Sequence, residues 1–281
     1  MIGEHLVNGR SGTVVSPDDR GLTYGDGLFE TVAVIDGEPR LWERHMDRME
    51  AGARRLGMPP PPLTTIREEV RYLVRKASTG ALKVLYTRGP GEGRGYRTPG
   101  RPLPTRILTL HEPPGYPPEY WQGADVRICE TRLAPQARLA GLKHLNRLEQ
   151  VLARSEWRDL AIAEGLMLDN NGFLVEGTAT NIFAVRAGAL ITPPLDEAGV
   201  DGVVRQIVLK RAKEWGLPTE IRRIYPEEIP EMEEMFLTNS MIGLWPVRSV
   251  EGRPVARGPV ADRFLAELAA DCFVPPGIVG G

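Results

Sequence analysis

The stretch Arg138-Leu-Ala-Gly-Leu-Lys-His-Leu-Asn-Arg-Leu-Glu-Gln-Val-Leu152 is the most informative part of this chain. The polar residues that begin at Lys143 precede an amphipathic run in which Leu148, Val151 and Leu152 have helical spacing. Lys143 is therefore predicted to lie where a strand or loop meets a helix. A reactive side chain is easily presented at such a junction.

Lysine is scarce, so every candidate amine nucleophile can be considered. Only five of the thirty-five basic residues are lysines. Three of them lie in charged, helix-like stretches typical of a solvated face, and a fourth, Lys83, could point either way. Lys143 follows apolar residues, and the partial desolvation expected there would keep its amine neutral near pH 7. The alternative is an ordinary helix-cap lysine, which this stretch alone favours. The five are Lys76, Lys83, Lys143, Lys210 and Lys213.

Composition excludes several classes of protein. With 281 residues the chain can form one large domain or two of ordinary size, and its net charge of −2 favours neither nucleic acid nor an anionic membrane as partner. Cys129 and Cys272 cannot form a disulfide framework and lack metal-ligand spacing, so we expect a cytoplasmic setting and no metal. We also expect no signal peptide and no transmembrane span, because the apolar runs are too short.

The first half of the chain predicts an α/β lobe over residues 1–113, followed by a proline-rich linker at 114–122. Asp36-Gly37 after the strand at 28–35 is typical of a type I′ hairpin turn. The predicted strands are 5–8, 13–15, 28–35, 39–42, 82–87 and 106–110. The predicted helices are 43–56, with His45, Met49 and Ala53 on one stripe, and a second one from Thr64 or Thr65 to 77.

The second half, residues 123–281, alternates short strands with a few helices and predicts a second lobe with mainly antiparallel hairpins. The predicted strands are 124–129, 166–169, 173–176, 180–185, 189–192, 219–224, 235–238 and 247–250. The predicted helices are the one after Lys143, 201–215 and 259–271.

A cofactor held as a lysine imine needs an amine, an anion site for its phosphate and a group that tunes its ring. Gly202-Val-Val204 at a helix start, the corner Thr238-Asn-Ser240 and Arg48 are candidates for the anion site. Each is weak alone, because every helix has an N-terminus and most arginines are exposed. Glu176, at the end of an apolar strand, could keep a pyridine nitrogen protonated. The alternative is a strand-end glutamate in water.

The glycine-rich loop at 88–96 is cationic. Arg94 and Tyr96 are suited to binding a substrate carboxylate through guanidinium contacts. The alternative is a hairpin loop that is merely soluble.

Together and in order, these pieces resemble the fold-type IV pyridoxal 5′-phosphate (PLP) enzymes, which include branched-chain and D-amino acid aminotransferases. The resemblance covers nearly the whole chain and implies a two-domain α/β (α+β) fold. A small N-terminal antiparallel-sheet and helix lobe would precede a larger C-terminal pseudo-barrel lobe. The motifs that carry it are Asp19-Arg-Gly-Leu-Thr-Tyr-Gly-Asp-Gly-Leu-Phe-Glu-Thr31, Glu43-Arg-His-Met-Asp-Arg48, Arg94-Gly-Tyr96, Lys143, Glu176 with Thr180-Asn-Ile-Phe183, and Gly202-Val-Val-Arg205.

Within this family, Lys143-His-Leu-Asn-Arg-Leu-Glu-Gln150 is most similar to the lyases that convert 4-amino-4-deoxychorismate to 4-aminobenzoate and pyruvate. Thr31 is at the position where these lyases have a threonine near the cofactor. Glu30, the residue before it, is instead the residue found at that position in many aminotransferases. The resemblance implies PLP bound to Lys143, which also shuttles protons, and a homodimer with a small-molecule substrate. It assigns the ring nitrogen to Glu176 and substrate binding to Arg94 and Tyr96. Arg147 either binds a substrate carboxylate or braces the loop around Lys143. The phosphate ligands it implies are Arg48, Val203, Val204, Asn239 and Ser240.

Two other functions remain open at this point. An aminotransferase for branched-chain or D-amino acids would use the same fold, but its cofactor would end the first half-reaction as pyridoxamine phosphate. A non-catalytic protein that binds PLP or another small molecule would show no turnover. The joint presence of the lysine, the carboxylate and the phosphate residues argues against the second alternative.

Overall fold

The computed structural model describes residues 4–75, 77–93 and 95–279, which form two compact units of mixed α/β structure, as predicted. Unit 1 comprises residues 1–114 together with Lys143–Asn146. Unit 2 comprises residues 115–142 and 147–281. The chain therefore leaves unit 2 after Leu142 and returns to it at Arg147.

Unit 1 contains a six-stranded antiparallel sheet in the order β2-β1-β6-β5-β3-β4. Its strands are β1 (His5–Val7), β2 (Arg10–Ser11), β3 (Gly27–Ile35), β4 (Glu38–Pro39), β5 (Gly80–Thr87) and β6 (Thr105–His111). Its helices are α1 (Arg20–Tyr24), α2 (Trp42–Arg55) and α3 (Leu63–Val74).

Local sequence explains the centre of this unit. Asp36 and Gly37, between β3 and β4, both have positive φ (55° and 76°), as a type I′ turn requires. Along α2, His45, Met49 and Ala53 are buried, as their spacing predicted. These side chains form part of the helix face that packs on β3.

Four local predictions for unit 1 were wrong. The strand predicted at 39–42 is limited to Glu38–Pro39, because α2 begins at Trp42. No strand forms at 13–15, and α3 begins at Leu63 with no side-chain cap from a threonine. The segment interpreted as turns contains α1, whose N-terminus is capped by Asp19 through a 2.8 Å bond from the Gly21 N–H. A helix of five residues is too short to produce a hydrophobic period, which explains why the pattern missed it.

Unit 2 contains a nine-stranded sheet in the order β12-β11-β10-β13-β14-β7-β8-β9, with β15 beside β14. Most pairs are antiparallel, but β7–β8, β7–β14 and β11–β12 are parallel. The strands are β7 (Ala124–Leu133), β8 (Ile162–Asp169), β9 (Leu174–Gly177), β10 (Asn181–Arg186), β11 (Ala189–Thr192), β12 (Thr219–Ile221), β13 (Glu234–Asn239), β14 (Gly243–Val250) and β15 (Arg253–Pro254). The helices are α4 (Leu148–Arg154), α5 (Val203–Glu214) and α6 (Pro259–Leu268).

The segment at 115–122, predicted as a linker, is part of unit 2. It contains a short 3-10 helix, Pro118–Trp121. The Trp121 indole is buried and donates to the Ile242 carbonyl at 2.9 Å. The prolines led to the prediction of a linker, but one large aromatic side chain anchors this segment to unit 2. No helix among the described residues is long and apolar enough to cross a membrane.

Helix α4 exposes its apolar stripe. Leu148, Val151 and Leu152 are 76%, 59% and 60% exposed, whereas Gln150 and Ala153 are buried. The spacing predicted the helix correctly but would place the three apolar side chains in the core of the chain. Within unit 2 they are instead on its surface.

Candidate active site

Lys143 lies in the short segment that pairs with β3 of unit 1. The Phe29 N–H donates to the Lys143 carbonyl and the Leu145 N–H donates to the Gly27 carbonyl, both at 3.0 Å. The half-buried Lys143 side chain places its Nζ 4.3 Å from the centre of the Phe29 ring. The predicted junction is thus a strand-like segment that ends just before α4.

A second lysine side chain also lies near the Phe29 ring. Lys83 on β5 is directly opposite Thr31 on β3, and its Nζ is 5.4 Å from the Phe29 ring centre. Side chains alternate along a strand, so Phe29, Thr31 and Lys83 lie on one face of the sheet. The sequence left the direction of Lys83 open, and the strand register decides it.

Glu30, on the opposite face of β3, lies at the centre of a buried charged cluster. Its Oε2 is 2.6 Å from His45 Nδ1, and its Oε1 accepts from Arg48 Nε at 2.8 Å. Burial would raise the pKa of Glu30, but the charge of Arg48 and the bond from His45 lower it to about 2. Burial lowers the pKa of His45 despite its bond to Glu30. His45 is therefore neutral at pH 7, and Arg48 is held by Glu30.

The sequence pointed to Arg48 but not to this support. The available signal was the spacing of His45 and Arg48, three residues apart on one helix, facing a strand that carries Glu30 among apolar residues. The Nε2 atom of His45 is buried and has no hydrogen-bond partner. An unpaired polar atom beside an arginine is consistent with a site that accepts a further polar group.

Glu176 is the penultimate residue of β9 in unit 2 and is only 4% exposed. Its Oε2 accepts a 2.7 Å hydrogen bond from the Val200 N–H. The same segment also pairs with Gly141, because the Gly141 N–H donates to the Gly199 carbonyl (2.8 Å) and the Asp201 N–H donates to the Gly141 carbonyl (3.0 Å). One backbone segment thus positions both Glu176 and the residue two places before Lys143.

The start of α5 follows directly. Its N-cap, Gly202, has no capping side chain, and the first turn carries no acidic residue. The N–H groups of Val203 and Val204, both buried, therefore lie at a helix end that favours an anion. A Cβ on Gly202 would be 2.0 Å from Asn181 Oδ1, so a larger residue here would displace Asn181 or the start of the helix.

The corner at the end of β13 differs from expectation in one detail. Asn239 Oδ1 accepts from the N–H groups of Met241 and Ile242 at 2.8 and 2.9 Å, so this side chain shapes the turn. A phosphate contact at Asn239 would involve its backbone. The hydroxyl of Thr238 is buried without a hydrogen-bond partner, and Ser240 is half-buried. These donors fit the phosphate that the resemblance implies.

The expected substrate residues are only partly described. Arg94 lies outside the described residues. The Tyr96 side chain is 84% exposed and contacts Tyr24, with ring centres 5.3 Å apart. Its backbone is held by Arg20, whose guanidinium donates to the carbonyls of residues 95–97 at 3.2–3.3 Å. Arg147 is half-buried and donates to the Leu142 carbonyl at 3.2 Å.

Comparison with known proteins agrees with this geometry. A profile of the family described as amino-transferase class IV matches residues 27–250. A crystal structure of 4-amino-4-deoxychorismate lyase from Pseudomonas aeruginosa superposes with a TM-score of 0.91 and 45% identity, covering 95% of this chain and 98% of that one. Aminodeoxychorismate lyase from Vibrio harveyi is 34% identical over 87% of this chain and 90% of its own length. Branched-chain amino acid aminotransferase from Escherichia coli has a TM-score of 0.83 and 26% identity, with 99% and 97% covered.

Proposed function

We propose a specific reaction for this chain, which belongs to the amino-transferase class IV family. It is a PLP-dependent lyase that converts 4-amino-4-deoxychorismate to 4-aminobenzoate and pyruvate for folate biosynthesis. The observation that carries the choice of reaction is the degree of likeness. Identity is 45% with the Pseudomonas lyase and 26% with the Escherichia aminotransferase, over similar coverage. The string Lys143 to Gln150 and Thr31 support the same choice.

The chain's own residues suit the cofactor. PLP, when bound, supplies a carbonyl that reacts with amines and a ring that withdraws electrons. Lys143 would hold it covalently. Glu176 would accept a hydrogen bond from its ring nitrogen, and the buried carboxylate is already oriented by Val200. The phosphate would be held by Arg48, Val203, Val204, Asn239 and Ser240.

Lys143 also serves as the base. Its half-buried amine beside Phe29, once released when the substrate's amino group takes its place, would remove the proton from the substrate carbon that bears that amino group. The neighbouring carbon–oxygen bond breaks, its electrons leave with the enolpyruvyl group, and the ring becomes aromatic. The proton on Lys143 passes to the methylene carbon of that group, which gives pyruvate. Thr31 lies on the same strand face and would orient the reacting groups.

Substrate selection is proposed to depend on side chains that bind carboxylates. The substrate carries two carboxylates, whereas a neutral amino acid carries one. Arg94 and Tyr96 are proposed to bind one carboxylate. Lys83 shares the Phe29 ring with Lys143 and provides a second cation on the same face as Thr31.

The proposal includes a homodimer in the cytoplasm. The exposed apolar stripe of α4 supports a second copy as partner, because an exposed cluster of large apolar side chains is typical of an interface. The two cysteines are free, buried thiols, which is consistent with a reducing compartment.

An aminotransferase is the second candidate, favoured by Glu30 at the position before Thr31. The deciding experiment mixes PLP-loaded protein with freshly generated 4-amino-4-deoxychorismate and follows 4-aminobenzoate fluorescence and pyruvate. A parallel reaction with amino acids follows conversion of the cofactor to its pyridoxamine form. Fast 4-aminobenzoate release with slow or no amino transfer is expected. No reaction with the chorismate derivative and prompt conversion by an amino acid would assign the protein to the aminotransferases.

A further inference from the structure

Arg147 folds back onto the chain that carries the reactive lysine. It is the residue before α4, and its guanidinium donates to the Leu142 carbonyl, five residues earlier. Leu142 directly precedes Lys143. The bond therefore joins the two points of unit 2 at which the chain leaves for Lys143–Asn146 and returns.

Arg147 also interacts electrostatically with Glu176. Burial lowers the pKa of Arg147, and the negative charges of Glu176 and Glu149 oppose that effect. A half-buried guanidinium is retained only where anions compensate its desolvation. Arg205, which is bonded to Asp201, is attracted to Glu176 as well. Two guanidinium groups thus act on this one buried carboxylate.

We infer that Arg147 is a positioning residue that fixes the chain before Lys143 and holds a positive charge near Glu176, and that it does not bind a substrate carboxylate. This inference rests on the proposed function, which places Glu176 against the ring nitrogen. It chooses between the two roles that the sequence left open for Arg147. A positive charge beside Glu176 lowers the proton affinity of the groups around the ring, so removing it raises their pKa values.

The test compares Arg147→Gln and Arg147→Lys with Arg158→Gln, which changes an exposed arginine of the same unit. The pH titration of the absorbance of the lysine-bound cofactor is measured along with kcat and KM. For Arg147→Gln we expect the titration midpoint to rise by about one pH unit. The kcat should fall roughly tenfold while KM changes less than about threefold. Arg147→Lys, which keeps the charge, should retain the midpoint, and Arg158→Gln should change nothing.

A rise in KM of about tenfold or more with an unchanged midpoint would overturn the inference, because this is the pattern of a lost substrate ligand. If Arg147→Gln fails to fold, Arg147→Lys decides. A lysine cannot replace a bidentate guanidinium, so a substrate role predicts a raised KM there, whereas a positioning role predicts a normal midpoint and KM. If the wild type makes no 4-aminobenzoate, the proposed reaction is wrong. The midpoint shift still decides the role of Arg147.

Discussion

The Val200 N–H donates a 2.7 Å hydrogen bond to the buried carboxylate of Glu176. Val200 lies between two residues that are hydrogen-bonded to Gly141, so the same three-residue segment contacts the chain shortly before Lys143. A carboxylate held by backbone has little freedom to turn away from a ligand.

Replacing Glu176 with Gln tests its role at the ring. The amide oxygen can still accept from Val200, so folding should be preserved, but the charge that keeps a pyridine nitrogen protonated is lost. We expect kcat to fall by roughly 100-fold or more, with cofactor still bound. Absorbance spectra and 4-aminobenzoate release measure this. Activity within twofold of wild type would remove Glu176 from the proposed site.

Replacing Lys143 with Ala removes the only proposed covalent anchor. The absorbance band of the lysine-bound cofactor and the lyase activity should both disappear, whereas Lys213→Ala, on an exposed part of α5, should change neither. Mass spectrometry after borohydride reduction should locate the cofactor on the peptide that contains Lys143. Retention of the band and the activity in Lys143→Ala would refute the assignment.

Gly202→Ala tests the start of α5. The new Cβ would be 2.0 Å from Asn181 Oδ1, so the helix end or Asn181 must move. We expect the dissociation constant for PLP to rise about tenfold or more, because displaced N–H groups bind a phosphate less well. Gly115→Ala is the control, since no atom lies near its Cβ position. Equal affinity in both variants would show that this helix end does not bind the cofactor.

The Glu30 cluster predicts an acid-sensitive fold. The pKa of Glu30 is depressed from 4.5 to about 2, so its contribution to stability is fully present above pH 4.5 and is lost as pH falls towards 2. By linkage this contribution is about 3 kcal/mol. Glu30→Gln should lower Tm and flatten its dependence on pH over that range. Glu43→Gln, which breaks an exposed pair with Arg67, should shift Tm by about a degree or less.

Val151→Glu tests the exposed face of α4. A charge among Leu148, Val151 and Leu152 should weaken association of two copies without disturbing the fold of unit 2, because Val151 is 59% exposed. Analytical ultracentrifugation should show dimer for the wild type and monomer for the variant at micromolar concentration. Arg154→Glu would not serve as a control, because its guanidinium bonds the Trp157 carbonyl. Arg158→Glu, elsewhere on the same unit, should remain dimeric.

Much of the fold followed from local patterns. The turn at Asp36-Gly37, the buried stripe of α2 and the β9 strand that ends near Glu176 could be predicted, because each depends on residues close in the chain. Each sequence motif was weak evidence for a cofactor site when taken alone. Their occurrence in a fixed order resembled one enzyme family, and this made the prediction of the site specific. Short or irregular elements such as α1 were missed because they leave no period.

By itself, the sequence determined the family, through residue types at fixed separations, and these motifs made Lys143 and Glu176 the candidates for the reactive lysine and the ring carboxylate. Tertiary structure alone decided which groups support them. Register placed Lys83 beside Thr31, and packing brought Glu30 to His45 and Arg48. Folding also set Val200 on Glu176 and turned the apolar stripe of α4 outward. These relations join residues far apart in the chain, and their energies depend on burial and charge that no local pattern contains.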